Sequence, residues 1–174
     1  MLFRSASLTE PLTPGMLARV EGVAWTEVLF NGIAAQRVSD TVVVVPTQLA
    51  PGNARADVRI DGTQLTREVP IVAASPALFV AVNEDGSVSS AEHPADRGSV
   101  LVLYGTGQGV EAQPVKVRFG DYDGDLLYSG PVAAYPGLWQ VNTRVPAGFF
   151  PPGTYALSVS VGAAVSPALT VEVR

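Results

Sequence analysis

The chain of 174 residues has no cysteine, one histidine and little charge, with Asp, Glu, Lys and Arg together at 16%. Each scarcity excludes something. Without cysteine there is no disulfide framework, no thiol chemistry and no iron–sulfur ligation, and a single histidine removes most zinc and haem sites. No cofactor is expected. Lys and Arg number 11 against 16 Asp and Glu, a net charge of −5. Binding to nucleic acid or to an anionic membrane surface needs a basic face, so neither partner is expected. No run approaches the roughly 20 apolar residues of a bilayer span, so no membrane insertion is expected. Met1–Ser5 has no long apolar core and does not read as a signal peptide, so an export signal is expected outside this chain. Zero cysteine fits the cytosol or a bacterial exported protein equally well.

What is present is valine, glycine and proline. Gly 17 and Pro 14 accompany a hydrophobic fraction of 47%, enough for packed cores with many turns. The apolar residues alternate at period two. Val58 and Ile60 oppose Arg59 and Asp61, and Tyr155, Leu157, Val159 and Val161 alternate with Ser158 and Ser160. Leu169, Val171 and Val173 repeat the pattern. The continuous runs Val42–Val45 and Val100–Tyr104 suit strands covered on both sides. Turn dipeptides separate these stretches: Pro14-Gly15, Asn31-Gly32, Pro51-Gly52, Asp61-Gly62, Asp85-Gly86, Asp123-Gly124, Pro136-Gly137 and Pro152-Gly153. The pattern predicts an all-β chain of β-sandwiches with no helix longer than two turns.

The chain repeats itself. Val45-Pro46 returns as Val145-Pro146, Leu49-Ala50-Pro51-Gly52 as Phe149-Phe150-Pro151-Pro152-Gly153, and Ala56–Gly62 as Leu157–Gly162. Val20-Glu21-Gly22 resembles Leu103-Tyr104-Gly105, and Phe30-Asn31-Gly32 resembles Phe119-Gly120. The offset drifts from 83 to about 101 residues, as loop insertions allow without disturbing register. So long a period means two related domains rather than a solenoid. The expected division is residues 1–74 and 75–174, two tandem immunoglobulin-like β-sandwich domains meeting near Ala73-Ala74-Ser75-Pro76. That short proline-containing linker restricts their relative orientation.

Several motifs resemble a known family. They are Ala77-Leu78-Phe79, Asn83–Val88, His93-Pro94-Ala95, Leu103-Tyr104-Gly105-Thr106-Gly107-Gln108-Gly109, Gly137-Leu138-Trp139-Gln140-Val141-Asn142, Val145-Pro146-Ala147-Gly148 and Ser166-Pro167. Together they resemble the Solibacter-type C-terminal domain found at the ends of large exported acidobacterial proteins. The likeness is strong from Ser75 to Arg174. In the first half, Gly22-Val23-Ala24-Trp25 stands where the family has a Gly-Thr-Asn-Leu-like stretch, while Pro46-Thr47-Gln48 keeps its Pro-Thr-Gln motif. The resemblance implies paired immunoglobulin-like modules, an extracellular or cell-surface location, and no catalytic residues.

Four local signals remain. Asp121, Asp123 and Asp125 in Asp121-Tyr122-Asp123-Gly124-Asp125 alternate as in a calcium loop, but Leu126–Ser129 supplies no closing carboxylate, so a polar hairpin turn is expected instead of a metal site. His93 beside Glu92 has neither a serine nucleophile elbow nor a second histidine, and reads as a turn residue before Pro94. Gly105-Thr106-Gly107-Gln108-Gly109 lacks the Lys-Ser/Thr and the following helix of a phosphate loop, and reads as a flexible connection. The aromatics Tyr128, Tyr135, Trp139, Phe149 and Phe150, set among Gly130-Pro131, Pro136-Gly137 and Pro151-Pro152, are the candidate ligand-binding residues. The expectation is a non-enzymatic structural or interaction module of a larger exported bacterial protein, partnered by a protein or a cell-surface polysaccharide. The alternative is a carbohydrate-binding module using the aromatic loops of the second domain. Ordinary core packing of these rings competes with both.

Overall fold

In the computed structural model, residues 6–7, 11–21 and 24–174 are described. Residues 1–5, 8–10, 22 and 23 lie outside them, and with them the Met1–Ser5 stretch and part of the Gly22–Trp25 comparison. Among the described residues there are sixteen strands and no helix. The first eight are β1 (Ala6–Ser7), β2 (Leu17–Arg19), β3 (Glu27–Phe30), β4 (Ile33–Ala34), β5 (Gln36–Ser39), β6 (Val42–Val44), β7 (Gly52–Ile60) and β8 (Thr63–Ile71). The second eight are β9 (Ala77–Val82), β10 (Val100–Thr106), β11 (Val115–Phe119), β12 (Tyr122–Pro131), β13 (Trp139–Arg144), β14 (Gly153–Val161), β15 (Ala164–Val165) and β16 (Leu169–Val173).

These strands form two tandem immunoglobulin-like β-sandwiches. In the first, the sheet β1-β2-β6-β5 faces the sheet β4-β3-β7-β8. In the second, one curled sheet runs β15-β14-β11-β12-β13-β10-β9, with β16 added on β14. The connectivity repeats: β2, β6 and β5 stand in the order of β10, β13 and β12, and β4, β3, β7 and β8 in the order of β12, β11, β14 and β16. Pro46 lies two residues beyond β6 and Pro146 two beyond β13. Phe30 and Phe119, both at the ends of matching strands, are fully buried.

Alternation produces the cores. Ala54, Ala56 and Val58 of β7 point inward, as do Leu157, Val159 and Val161 of β14. One core gathers residues from Leu12 to Ile71 around Phe30 and Trp25. The other gathers residues from Ala74 to Val173 around Trp139, Phe119 and Phe150. The run Val100–Tyr104 departs from expectation: only Leu101 and Leu103 are fully buried, so β10 is covered on one face.

The second sandwich turns on β12. Its first residues pair with β11 (Val117 opposite Gly124), and the rest pair with β13 (Asp125 opposite Arg144 to Pro131 opposite Trp139). One strand thus passes from one sheet to the other. The crossing falls at Gly124, where a Cβ would stand 2.6 Å from Thr143 Oγ1 and 2.8 Å from Phe119 Cε2. Asp123-Gly124 is therefore strand rather than the expected turn; the reversal is made one step earlier, at Gly120-Asp121. In the first sandwich the same crossing splits β4 from β5 at Ala35, whose N–H donates to Val28 O at 2.9 Å.

The C-terminal strand is clasped to the loop before β10. Ala95 bridges Val173, and Arg174 Nε donates to Asp96 Oδ1 at 2.6 Å. The Arg174 hydrogen bond holds the Asp96 carboxyl below the usual aspartate range. A depressed folded value stabilises the fold above the unfolded aspartate pKa, and the contribution disappears as pH falls through the folded value. In an NMR titration Asp96 should titrate below a free aspartate, and Arg174→Met should return it toward the ordinary value.

Candidate functional site

The fork where β12 leaves β11 opens a cleft of about 880 Å³. One wall is β12 from Leu126 to Pro131, whose outer edge has no strand partner among the described residues once β11 has diverged. Val115 and Val161 mark the other arm of the fork, and Trp139 contributes to the floor. The segment Gly107–Gln113 forms one end. The first sandwich closes the other with Pro14, Gly15, Gln36, Val44 and Thr47. The cleft is thus composite, lying in the size range of small-ligand sites. Its polar groups are neutral amides and hydroxyls (Gln36, Thr47, Gln108, Gln113, Ser129), and among the described residues Glu111 is the one charged residue on the walls. Leu126, Leu127 and Tyr128 are 40–48% exposed along one wall. A β-bulge between Leu126 and Tyr128 puts this normally alternating series on view together.

The five aromatic candidates separate. Tyr128 lines the cleft. Tyr135 is 65% exposed, on the β12–β13 loop beside the cleft residues Pro136 and Gly137. That loop is shaped by its own hydrogen bonds: Val132 N–H to Leu138 O, Tyr135 N–H to Val132 O and Leu138 N–H to Tyr135 O. Trp139 is 1% exposed, with its indole N–H donating to Ser129 Oγ at 2.9 Å. It is a core residue that touches the cleft from below and presents no stacking face. It has no counterpart in the first sandwich because β13 is twice as long as β6.

Phe149 and Phe150 lie at the opposite end of β13 and take no part in the cleft. Phe150 is 1% exposed, stacked 4.3 Å from Tyr155 and edge-on to Tyr122 and Phe119 at 4.8 and 6.0 Å. Phe149 is fully exposed. The expected match of Phe149 with Leu49 slips by one. Counting back from β14 and β7, Phe150 occupies the place of buried Leu49, and Phe149 is an extra residue pushed into solvent. Trp25, in the first core, is covered by Arg37, whose Cζ sits 4.4 Å from the ring centroid. Neither Phe150, Trp139 nor Trp25 offers a face to a ligand.

The acidic triplet does not converge. Asp121 sits in the turn, while Asp123 and Asp125 follow along β12. Asp123 pairs with Arg118 at 3.6 Å, and Arg118 Nη2 also donates to Asp121 O. Among the described residues no three His, Cys, Asp or Glu side chains are grouped for a metal. His93 is exposed in a turn closed by Ser90, and Glu92 accepts from Ser90 Oγ at 3.0 Å. Backbone N–H donation, then Ser90, hold that carboxyl below the usual range. No helix among the described residues is long and apolar enough to cross a membrane.

No family model and no curated protein matches the chain. Among solved structures, it is similar to a Bacteroides ovatus mixed-linkage glucan utilization locus protein, SGBP-B, in complex with a mixed-linkage heptasaccharide: TM-score 0.43, 14% identity, 99% of this chain and 45% of that one. It is also similar to domains 5–6 of the S-layer protein SbsC (TM-score 0.33, 15% identity, 99% and 96% covered) and to bovine butyrophilin (0.34, 13%, 95% and 95%). The chain thus spans less than half of the glucan-locus protein.

The two neighbouring phenylalanines give opposite expectations. Phe150→Ala should lower unfolding free energy by about 3–5 kcal/mol, as for other buried aromatic truncations, whereas Phe149→Ser should change it by less than about 0.5 kcal/mol. Urea melts of both variants check this.

Proposed function

We propose that the chain is a non-enzymatic recognition module of an exported bacterial protein, and that it holds a neutral glycan in the composite cleft. The division at residues 74 and 75, membership of the Solibacter-type family and a cell-surface location belong to the same proposal. The observation that carries it is the lining: a half-exposed Tyr128 ring beside neutral amides, with one charge. A pyranose offers a C–H face for an aromatic ring and hydroxyls for amides, and no charge to neutralise. Hydrolysis of a glycosidic bond uses two carboxyl groups flanking it. Among the described residues the cleft supplies only Glu111, which supports binding without cleavage.

A second reading rests on the open edge of β12. Residues 126–131 expose a strand edge that no described strand covers, together with Leu126 and Leu127, a surface on which an extended peptide of a partner protein can add a strand.

Titration calorimetry with soluble neutral polysaccharides, acidic polysaccharides and an extended apolar peptide separates the readings. Neutral glycan should bind and Tyr128→Ala should weaken it about tenfold or more. Binding of the peptide alone, or equal binding by the Tyr128→Ala variant, defeats the glycan reading.

A further inference from the structure

The Gly-Thr-Gly-Gln-Gly segment is ordered, not the flexible connection that its composition predicts. Its glycines fall at alternate positions, and each faces one carbonyl of the segment that joins the sandwiches. A Cβ on Gly105 would collide with Ala77 O, one on Gly107 with Ser75 O, and one on Gly109 with Ala73 O. Gly107 and Gly109 also have φ of +85° and +79°, which disfavours side chains independently. The N–H of Ser75 donates to Gly107 O at 2.9 Å. This segment is therefore moulded to the linker over its length.

Between Gly105 and Gly107 stands Thr106, with no solvent exposure. Its hydroxyl accepts the N–H of Leu17, from the first sandwich, at 2.8 Å, and donates to Gly137 O, from the second, at 2.7 Å. Leu17 is 9% exposed yet belongs to neither core. It is buried because its side chain seats on Gly137, where a Cβ would lie 2.9 Å from Leu17 Cγ. Thr13, also fully buried, donates to Ala73 O at 3.0 Å. An unpaired buried donor costs more than an ordinary hydrogen bond contributes. A tilt that breaks the Leu17–Thr106 bond while Leu17 stays covered leaves its N–H unpaired, which favours one angle between the sandwiches.

We propose that Gly105–Gly109 and Thr106 form a rigid joint between the two sandwiches, and that Thr106 is the positioning residue that sets the two walls of the cleft against each other. Gly15 and Gln36 on one side and Gly107 and Gly137 on the other line the same cleft, so its width follows the joint angle. The joint itself is independent of what the cleft binds; only its effect on affinity rests on the glycan reading.

Residual dipolar couplings on the labelled full chain test the joint first. Both sandwiches of the wild type should fit one alignment tensor; two distinct tensors overturn the proposal. Thr106→Val keeps the volume and removes the hydroxyl. It should split the tensor and speed Leu17 amide exchange about tenfold, while Thr106→Ser restores both. A Thr106→Val protein with one tensor and a still-protected Leu17 amide overturns the role of Thr106. Should Thr106→Val not fold, Gly107→Ala and the wild-type tensor decide: the alanine variant must lose the common orientation with both cores intact. For neutral glycan, Thr106→Val should weaken binding with Thr106→Ser close to wild type. A wild type with one tensor and no glycan binding supports the joint and removes the glycan reading; two tensors with glycan binding do the reverse.

Discussion

The passage of β12 from one sheet to the other is the constraint on which the second sandwich depends. A strand that changes partners must twist sharply, and the two sheets must part beside it. Gly124 makes this possible by leaving its Cβ space to the Phe119 ring and the Thr143 hydroxyl. The same hydroxyl then donates to Asp125 O at 3.1 Å, holding the strand just past the crossing. Core packing, the fork and the free strand edge are consequences of this one crossing. The first sandwich solves the problem differently. It breaks the strand at Ala35 and leaves β5 only four residues long, with Arg37 bonded to Asp40 at its exposed end. A short, charged edge resists further pairing. The corresponding edge of β12 is longer and carries leucines and tyrosine, and the cleft lies there.

Much of the fold was legible because sheet physics writes itself at period two. The alternation through Val58 and through Val159 marks β7 and β14, and the paired Val-Pro steps mark matching strand ends. The crossing was not legible. Asp-Gly is the strongest local turn signal, and at Asp123-Gly124 it is overridden because the glycine is needed for close packing instead. The Phe149–Phe150 pair hid a one-residue insertion, since either ring fits the pattern and only the loop length separates them. The cleft was half legible. Tyr128 and Tyr135 stand out in sequence, but Gln36 and Thr47 reach the site only through the relation between sandwiches, which leaves no local trace. The alternate glycines of residues 105–109 did carry a signal: glycine at every second position means close backbone approach on one side of an extended chain.

The distribution of polar groups divides the molecule into faces. On the first sandwich Asp57 accepts from Thr66 at 2.6 Å, Gln64 at 3.0 Å and Arg55 at 2.9 Å, the Thr66 bond being the foremost cause of its lowered pKa. Arg59 pairs with Glu27 on the neighbouring strand. These side chains satisfy one another across β3, β7 and β8. The cleft walls, by contrast, carry mostly neutral groups, with Trp139 donating to Ser129 between them.

Matched connectivity also bears on how the chain reaches this state. Two sandwiches with equivalent strands, covalently joined, can exchange elements during folding: β3 has the neighbours in its own half that β11 has in the other. The pairings that tie each sandwich together, β2 with β6, β3 with β7, β10 with β13 and β11 with β14, join strands distant in sequence, which slows folding and lengthens the time available for such misassembly. The halves have diverged where an exchange would be felt. β13 is longer than β6, and the hairpin before it carries seven residues against two, so a swapped strand would leave Trp139 without its place. Unequal loops thus give each strand a better fit in its own half than in the other, which disfavours a hybrid of the two parts.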